Sequence, residues 1–594
     1  MKFDMVRKIL VAVGIAILLV GTIGVFWTKV VSSPVWVVRN VEAAPETSLF
    51  VPKQAPLMVS LLADAKQLQA YGLDQLPPEA RRDARANFSQ LRQRMKTQIG
   101  IDYEADIFPW VGSELSFALT TRDVDRDASN GEEWGYLLAI AVGDTERSQS
   151  ALQSIWQTQT SRWGDLTIED YSGVKLVYPD ITPAAREDDP NTPVIATAQV
   201  SDAYVLFSND AGVLRNAVSN VQVSSLNLGS SEVYQRAIAT LPDERVGMLW
   251  VNANALQPQL RSSQPGSEED LGAGAISNSG SIKLNNISGW LSSIAISPAG
   301  LVADTVVLPP DGQPWTTREP RLNQPLQVLR QVPADSALMI AGSDLPALWK
   351  RWLAAAKAGD RTAQQLIQPF QVQDEVWGFS FADQVIPWST GEFALAQMHS
   401  AAIPETSAPE KANPEPDWLF VTDSSEEASE GIQHLDAIAT DKGLTVGTLP
   451  IQDQAAQLWS QLRIELTPDN PAAPVSLRTD VKGIHTVVED HELLATSVNT
   501  LGKALFPNRY SVAESNSMQQ AFASLEESND GYVLIDWDLA KPRLAEAFPT
   551  LGLLIEWSDP LLDSVRSLLM STYGQDPEGL HVGTVIQFPT DESK

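Results

Sequence analysis

The sequence predicts an α+β fold: a single N-terminal transmembrane helix followed by two tandem, diverged copies of one mainly antiparallel sheet domain with packed helices. Three observations carry this expectation. A charge-free apolar run lies near the N-terminus, five sequence blocks recur in the same order about 280 residues apart, and short apolar strands alternate with amphipathic stretches in each copy.

Residues 1–8 read as a cytoplasmic N-terminus and residues 9–27 as the membrane span. At 1.5 Å rise per residue the run reaches roughly 28 Å, close to the hydrocarbon thickness of a bilayer. Lys2, Arg7 and Lys8 precede it while Lys29 and Arg39 follow, which favours an N-terminus inside. A cleavable signal peptide is the alternative, but the nearest small-x-small site, Val41-Glu42-Ala43, lies well beyond the apolar run. Residues 28–48 form a stalk, 49–310 the first repeat domain, 311–327 a linker with Pro314, Pro320 and Pro325, and 328–590 the second repeat domain.

The repeat is legible block by block. VPKQAPLMV (51–59) returns as VPADSALMI (332–340), and Pro109-Trp110 with Glu114 returns as Pro387-Trp388 with Glu392. YQRAIATL (234–241) matches MQQAFASL (518–525), GMLWVN (247–252) matches GYVLID (531–536), and PAGLVADTVV (298–307) matches PEGLHVGTVI (577–586). Similar strands within one large domain would not preserve both order and spacing. Within the first copy, helical periodicity appears at 80–99, 148–157, 210–218 and 233–241, strand patterns at 175–178 and 204–207, and a closing hairpin at 287–308. Residues 257–286, rich in Ser and Gly, and 400–417, rich in Pro, Ala and Glu, lack periodicity and read as loops.

These segments resemble a large cyanobacterial family catalogued only as a domain of unknown function, through FVPKQAP (50–56) and DIFPWVGSE (106–114) behind an apolar N-terminal run. The resemblance covers nearly the whole chain. It implies a membrane-tethered body facing the periplasm or the thylakoid lumen, and it supplies no activity and no catalytic residues.

Composition narrows the chemistry. In 594 residues there are 74 acids against 42 bases, a formal charge of -32, which repels phosphate backbones and argues against nucleic-acid binding. Zero Cys removes disulfides, thiolate nucleophiles and Cys-based metal sites. All five His (His399, His434, His485, His491, His581) lie in the second copy, and no nucleophile elbow, zinc-protease or phosphate-loop motif occurs. No cofactor and no enzymatic activity are expected.

Four features remain as candidates. Asp123, Asp125 and Asp127, with Asn130 and Glu133, have the oxygen-rich spacing of a calcium loop, although Ala128 stands where the turn Gly belongs and Trp134 where the bidentate Glu belongs. An acidic hairpin loop is the competing reading. His485, Glu489 and His491 offer metal ligands at strand period, against solvated turn residues. Leu345, Leu348, Trp349, Trp352 and Leu353 form a helical stripe, either a ligand wall or a core face. Residues 79–98 carry six bases against two acids, so that Arg81, Arg85 and Arg92 could dock on anionic lipid, or else sit solvated. The expected function is a membrane-tethered extracytoplasmic binding or scaffold protein with an unidentified protein partner. A carrier or chaperone for a lipid, pigment or unfolded chain is the alternative, with a hydrolase last.

Overall fold

The computed structural model describes residues 45–62, 101–124, 133–181, 194–256, 287–357, 379–398, 417–451, 453–465, 476–505, 511–537 and 565–588, with residue 93 and scattered positions in 363–377. The apolar run 9–27, residues 28–44 of the expected stalk, the basic segment 79–98 apart from residue 93, and the loops 257–286 and 400–416 lie outside the described residues.

Strong β-formers bounded by turn residues produce twenty strands. The first ten are β1 (Leu57–Leu61), β2 (Val111–Thr121), β3 (Gly135–Val142), β4 (Leu166–Tyr171), β5 (Val174–Pro179), β6 (Ala196–Val200), β7 (Tyr204–Ser208), β8 (Gly247–Asn252), β9 (Gly289–Ser297) and β10 (Gly300–Leu308). They are followed by β11 (Ser336–Asp344), β12 (Thr390–Met398), β13 (Trp418–Asp423), β14 (Thr445–Ile451), β15 (Gln454–Glu465), β16 (Ser476–Val488), β17 (His491–Ala495), β18 (Tyr532–Asp536), β19 (Ser567–Gln575) and β20 (Leu580–Gln587).

The pairings connect all twenty into one antiparallel sheet. Its spatial order begins β4-β5-β6-β7-β3-β2-β1-β8-β9-β10. It continues β20-β19-β18-β11-β12-β13-β17-β16-β15-β14. Every pairing among β1–β10 recurs ten strands later, so the second half runs through the same order in reverse.

Helices cover both faces. α1 (Thr145–Trp163) buries Leu152 and Ile155 on Phe117, Leu138 and Ile140. α2 (Ala211–Gln222) and α3 (Glu232–Ala239) bury Val213, Leu214 and Tyr234 on the opposite face, against Ala118, Leu137 and Leu206. In the second half α4 (Leu345–Lys357) and α5 (Glu426–Asp441) cover one face, while α6 (Val498–Ala504) and α7 (Asn516–Ala523) cover the other. The starts of α1 and α5 are set by side-chain caps: Asp144 accepts from Arg147 N at 3.1 Å, and Ser425 Oγ in the equivalent place accepts from Ala428 N at 3.0 Å. With helices on both sides, alternate residues of a strand are all buried, as in β1, where all five positions are.

The fold expectation is therefore corrected. Two separate sheet domains are not what the chain forms: the described residues build one predominantly antiparallel twenty-stranded sheet. Among the described residues no helix is long and apolar enough to cross a membrane. The physical reason for the single sheet lies at β10. As the last strand of an isolated copy it would present a row of unpaired backbone groups, and β20 covers that edge. The register runs from Leu301↔Ile586 to Val307↔Leu580. At the repeat shift of 279 residues, Asp304 corresponds to Gly583, and these two are directly opposed, so a pseudo-twofold axis passes through this pair. Trp537, Val565 and Phe588 from the second half join Ile294 and Leu301 from the first in one core cluster. Arg236 on α3 reaches Glu578 at 3.0 Å across the same seam.

Candidate functional site

The repeated motifs have a structural job that geometry makes plain. Glu114 is buried, and its carboxylate accepts from Glu46 N at 3.0 Å, from Thr47 N at 2.7 Å and from the Thr47 hydroxyl, holding the 3-10 turn Glu46–Leu49 that enters the first copy. Glu392 does the same for the turn Gln327–Arg330, accepting from Gln327 N at 2.5 Å and Val328 N at 3.2 Å. Free N–H groups at a helix start favour a carboxylate there. In Glu114 burial wins over these hydrogen bonds and raises the pKa above the ordinary carboxyl value. Trp110 and Trp388 each donate an indole N–H to a carbonyl four residues back, Asp106 O and Gln384 O, at 2.5 Å. These residues lock local turns.

The histidine pattern is dispersed. His485 lies on β16 and His491 begins β17, where their ladder partners are Leu494 and Val488. Glu489 between them occupies the turn with φ 54°, matching φ 50° at Ser201 in the first copy, so the three side chains do not share a strand face. His485 Nε2 instead lies 2.9 Å from Asp436 Oδ1, which also accepts from Trp459 Nε1 at 2.6 Å. Burial pushes the Asp436 pKa up, but these two hydrogen bonds outweigh it and hold the group below the ordinary range. The trio ties α5 to the sheet. Among the described residues no group of three or more His, Asp or Glu is arranged to hold a metal ion.

Of the calcium-loop residues Asp123 and Glu133 are described, and the Asp123 carbonyl accepts from Thr121 Oγ1 at 3.2 Å. Asp125 and Asp127 lie outside the described residues, as do Arg81, Arg85 and Arg92. Val124 N donates to Glu133 O at 2.8 Å and closes the loop ends, and Trp134 beyond them is 1% exposed in the core.

The tryptophan stripe on α4 packs inward: Leu345 and Trp349 are buried, and Leu348, Trp352 and Leu353 lean on the same cluster. Around it Phe370, Trp377, Phe381, Trp418 and Phe420 line a void of about 10 Å³. That is room for no more than a water, against about 300–1,000 Å³ for a ligand pocket. The wall is aromatic core.

The match that decides family membership spans residues 11–588. The chain belongs to the family described as protein of unknown function DUF3352. No curated protein and no solved structure matches it. For this DUF3352 chain the structure adds one cluster that sequence reading missed, at the seam of the two halves. Asp304 on β10, Tyr573 on β19 and Glu526 after α7 converge there, and burial, with the Glu526 charge adding to it, pushes the Asp304 carboxyl up to about 6. The signal was present in the PAGLVADTVV block, where an acid interrupts an apolar strand and its counterpart is glycine.

Proposed function

We propose that this protein is a non-enzymatic scaffold or binding module that presents two related surfaces on one stiff body. The observation that supports this reading is the β10–β20 pairing, which fuses the copies into a single sheet and fixes their mutual orientation. Duplication with a flexible joint would give two independent binding units, whereas a shared sheet gives one surface of doubled extent whose two contacts are pre-oriented for one partner assembly. In this proposal the body works outside the cytoplasm of a cyanobacterium, in the periplasm or the thylakoid lumen, a placement that its acidic surface and freedom from cysteine suit. A carrier role for lipid or pigment has less support, because the aromatic wall encloses too little space for a ligand.

The test is photo-crosslinking of the full chain in its native membranes, with probes on both halves, followed by mass spectrometry of proteins and lipids. The proposal expects one protein assembly crosslinked from both halves. A lipid or pigment recovered at one molecule per chain, with no protein partner, overturns it in favour of the carrier.

A further inference from the structure

Asp304 occupies an unusual place in the joint between the halves. Its ladder neighbours are Ser293 on β9 and Gly583 on β20. Directly opposed residues of antiparallel strands project to the same face. That face also carries Val302 and Val306, one buried in the second-half core and one in the first. Gly583 supplies no side chain, and one there would collide with the Tyr573 hydroxyl and meet Leu525 Cδ2 at 2.9 Å. The half-buried Asp304 carboxyl thus lies in a confined polar spot on the pseudo-twofold axis.

Among the described residues no donor is hydrogen-bonded to the Asp304 carboxyl. Burial and a neighbouring negative charge are the influences on the Asp304 carboxyl, with no hydrogen bond among them. Ser293 Oγ beside it is buried and also without a hydrogen-bond partner. Nor, among the described residues, does a cation act on it. Asp304 is the one charged residue of β10, while β9 and α7 carry none. On β20 the titratable group is His581, whose Nε2 lies 3.3 Å from Asp576 Oδ2. β19 contributes the Tyr573 hydroxyl, and the turn after α7 contributes Glu526 and Glu527, both exposed and both negative. α3 carries Glu232 and Arg236, and Arg236 is held by Glu578. A carboxylate here has lost water without gaining a partner.

We propose that the joint between the two halves is a proton-operated clasp, in which protonation of Asp304 tightens the β10–β20 seam and ionisation loosens it. The sign follows from linkage. A carboxyl whose folded pKa lies above its unfolded value binds more protons when folded, so stability is present at low pH and is lost as pH rises from about 4 to about 6. The seam is firmest in an acidic surrounding, and the Glu526 charge sharpens the response.

Hydrogen exchange of the full chain, read by mass spectrometry at about pH 5 and about pH 7 and corrected for intrinsic chemical rates, tests this. Wild-type segments 301–307 and 580–586 should open at least about tenfold more at the higher pH, while the β4–β5 hairpin changes little. Asp304→Asn, which keeps the shape and removes the charge, should be protected equally at both pH values. Glu526→Gln should move the transition to lower pH, because removing that negative charge lets the Asp304 carboxylate form more easily, and an upward shift counts against the proposal. Equal seam protection in the wild type at both pH values, or an unchanged pH response in Asp304→Asn, overturns it.

Discussion

At the scale of single residues, the motif glutamates illustrate how one side chain can fix where a whole copy begins. Glu114 satisfies two backbone N–H groups and a hydroxyl, the two donors of Thr47 buried with it, whereas Glu392 satisfies two N–H groups nearer the surface. Removing a charged acceptor strands those donors, at about 1.5–3 kcal/mol per hydrogen bond to a charged group. Glu114→Ala should therefore cost roughly 3 kcal/mol or more, and Glu392→Ala roughly half as much because water can replace its carboxylate. Denaturant melts of the two variants check the order, and an equal loss would show that burial does not set the difference.

At the scale of elements, α5 carries a glycine where helix propensity alone would favour alanine. Gly431 lies mid-helix, and replacing glycine by alanine in an exposed helix interior ordinarily gains about 1 kcal/mol. Here an added Cβ would overlap the indole of Trp388, whose N–H is committed to Gln384 O. Gly431→Ala should therefore destabilise by about 1–3 kcal/mol, the usual cost of overpacking, and a higher melting temperature would refute the contact. Such contacts were not legible in the sequence, because they join segments about forty residues apart. What was legible is local. The helical patterns at 148–157, 210–218 and 233–241 coincide with α1, α2 and α3, and the closing hairpin with β9–β10. The shared sheet was hidden for a physical reason: β10 reads the same whether its outer edge meets water or β20, since its one interrupting acid, Asp304, looks like a solvent-facing residue. The seam cluster was hidden with it. The candidate His485, Glu489 and His491 failed on spacing that ignores turns, as the φ of 54° at Glu489 shows.

At the scale of the whole molecule, the question is whether two copies joined edge to edge melt together. Seven residue pairs bind β10 to β20, and Trp537, Val565 and Phe588 bury their side chains in a cluster shared with the first half. Full burial of one such side chain contributes about 1.5–3 kcal/mol. Three together approach the entire stability of a typical domain, about 5–15 kcal/mol. Coupling of that size leaves little population in which one half is folded and the other is not. Calorimetry of the body should accordingly show one transition whose calorimetric and van't Hoff enthalpies agree, despite a length at which independent domains are the norm. Thr584→Pro offers the counterpart, since Thr584 is paired with Ala303 on one side and Met570 on the other. Proline in a strand flanked on both sides removes a ladder hydrogen bond and fits neither neighbour. That variant should split the transition, with the second half melting first and the first half following at a higher temperature. Two transitions already present in the wild type would mean that the seam is a contact between independent domains, and the pre-oriented surface proposed for the pair would lose its basis.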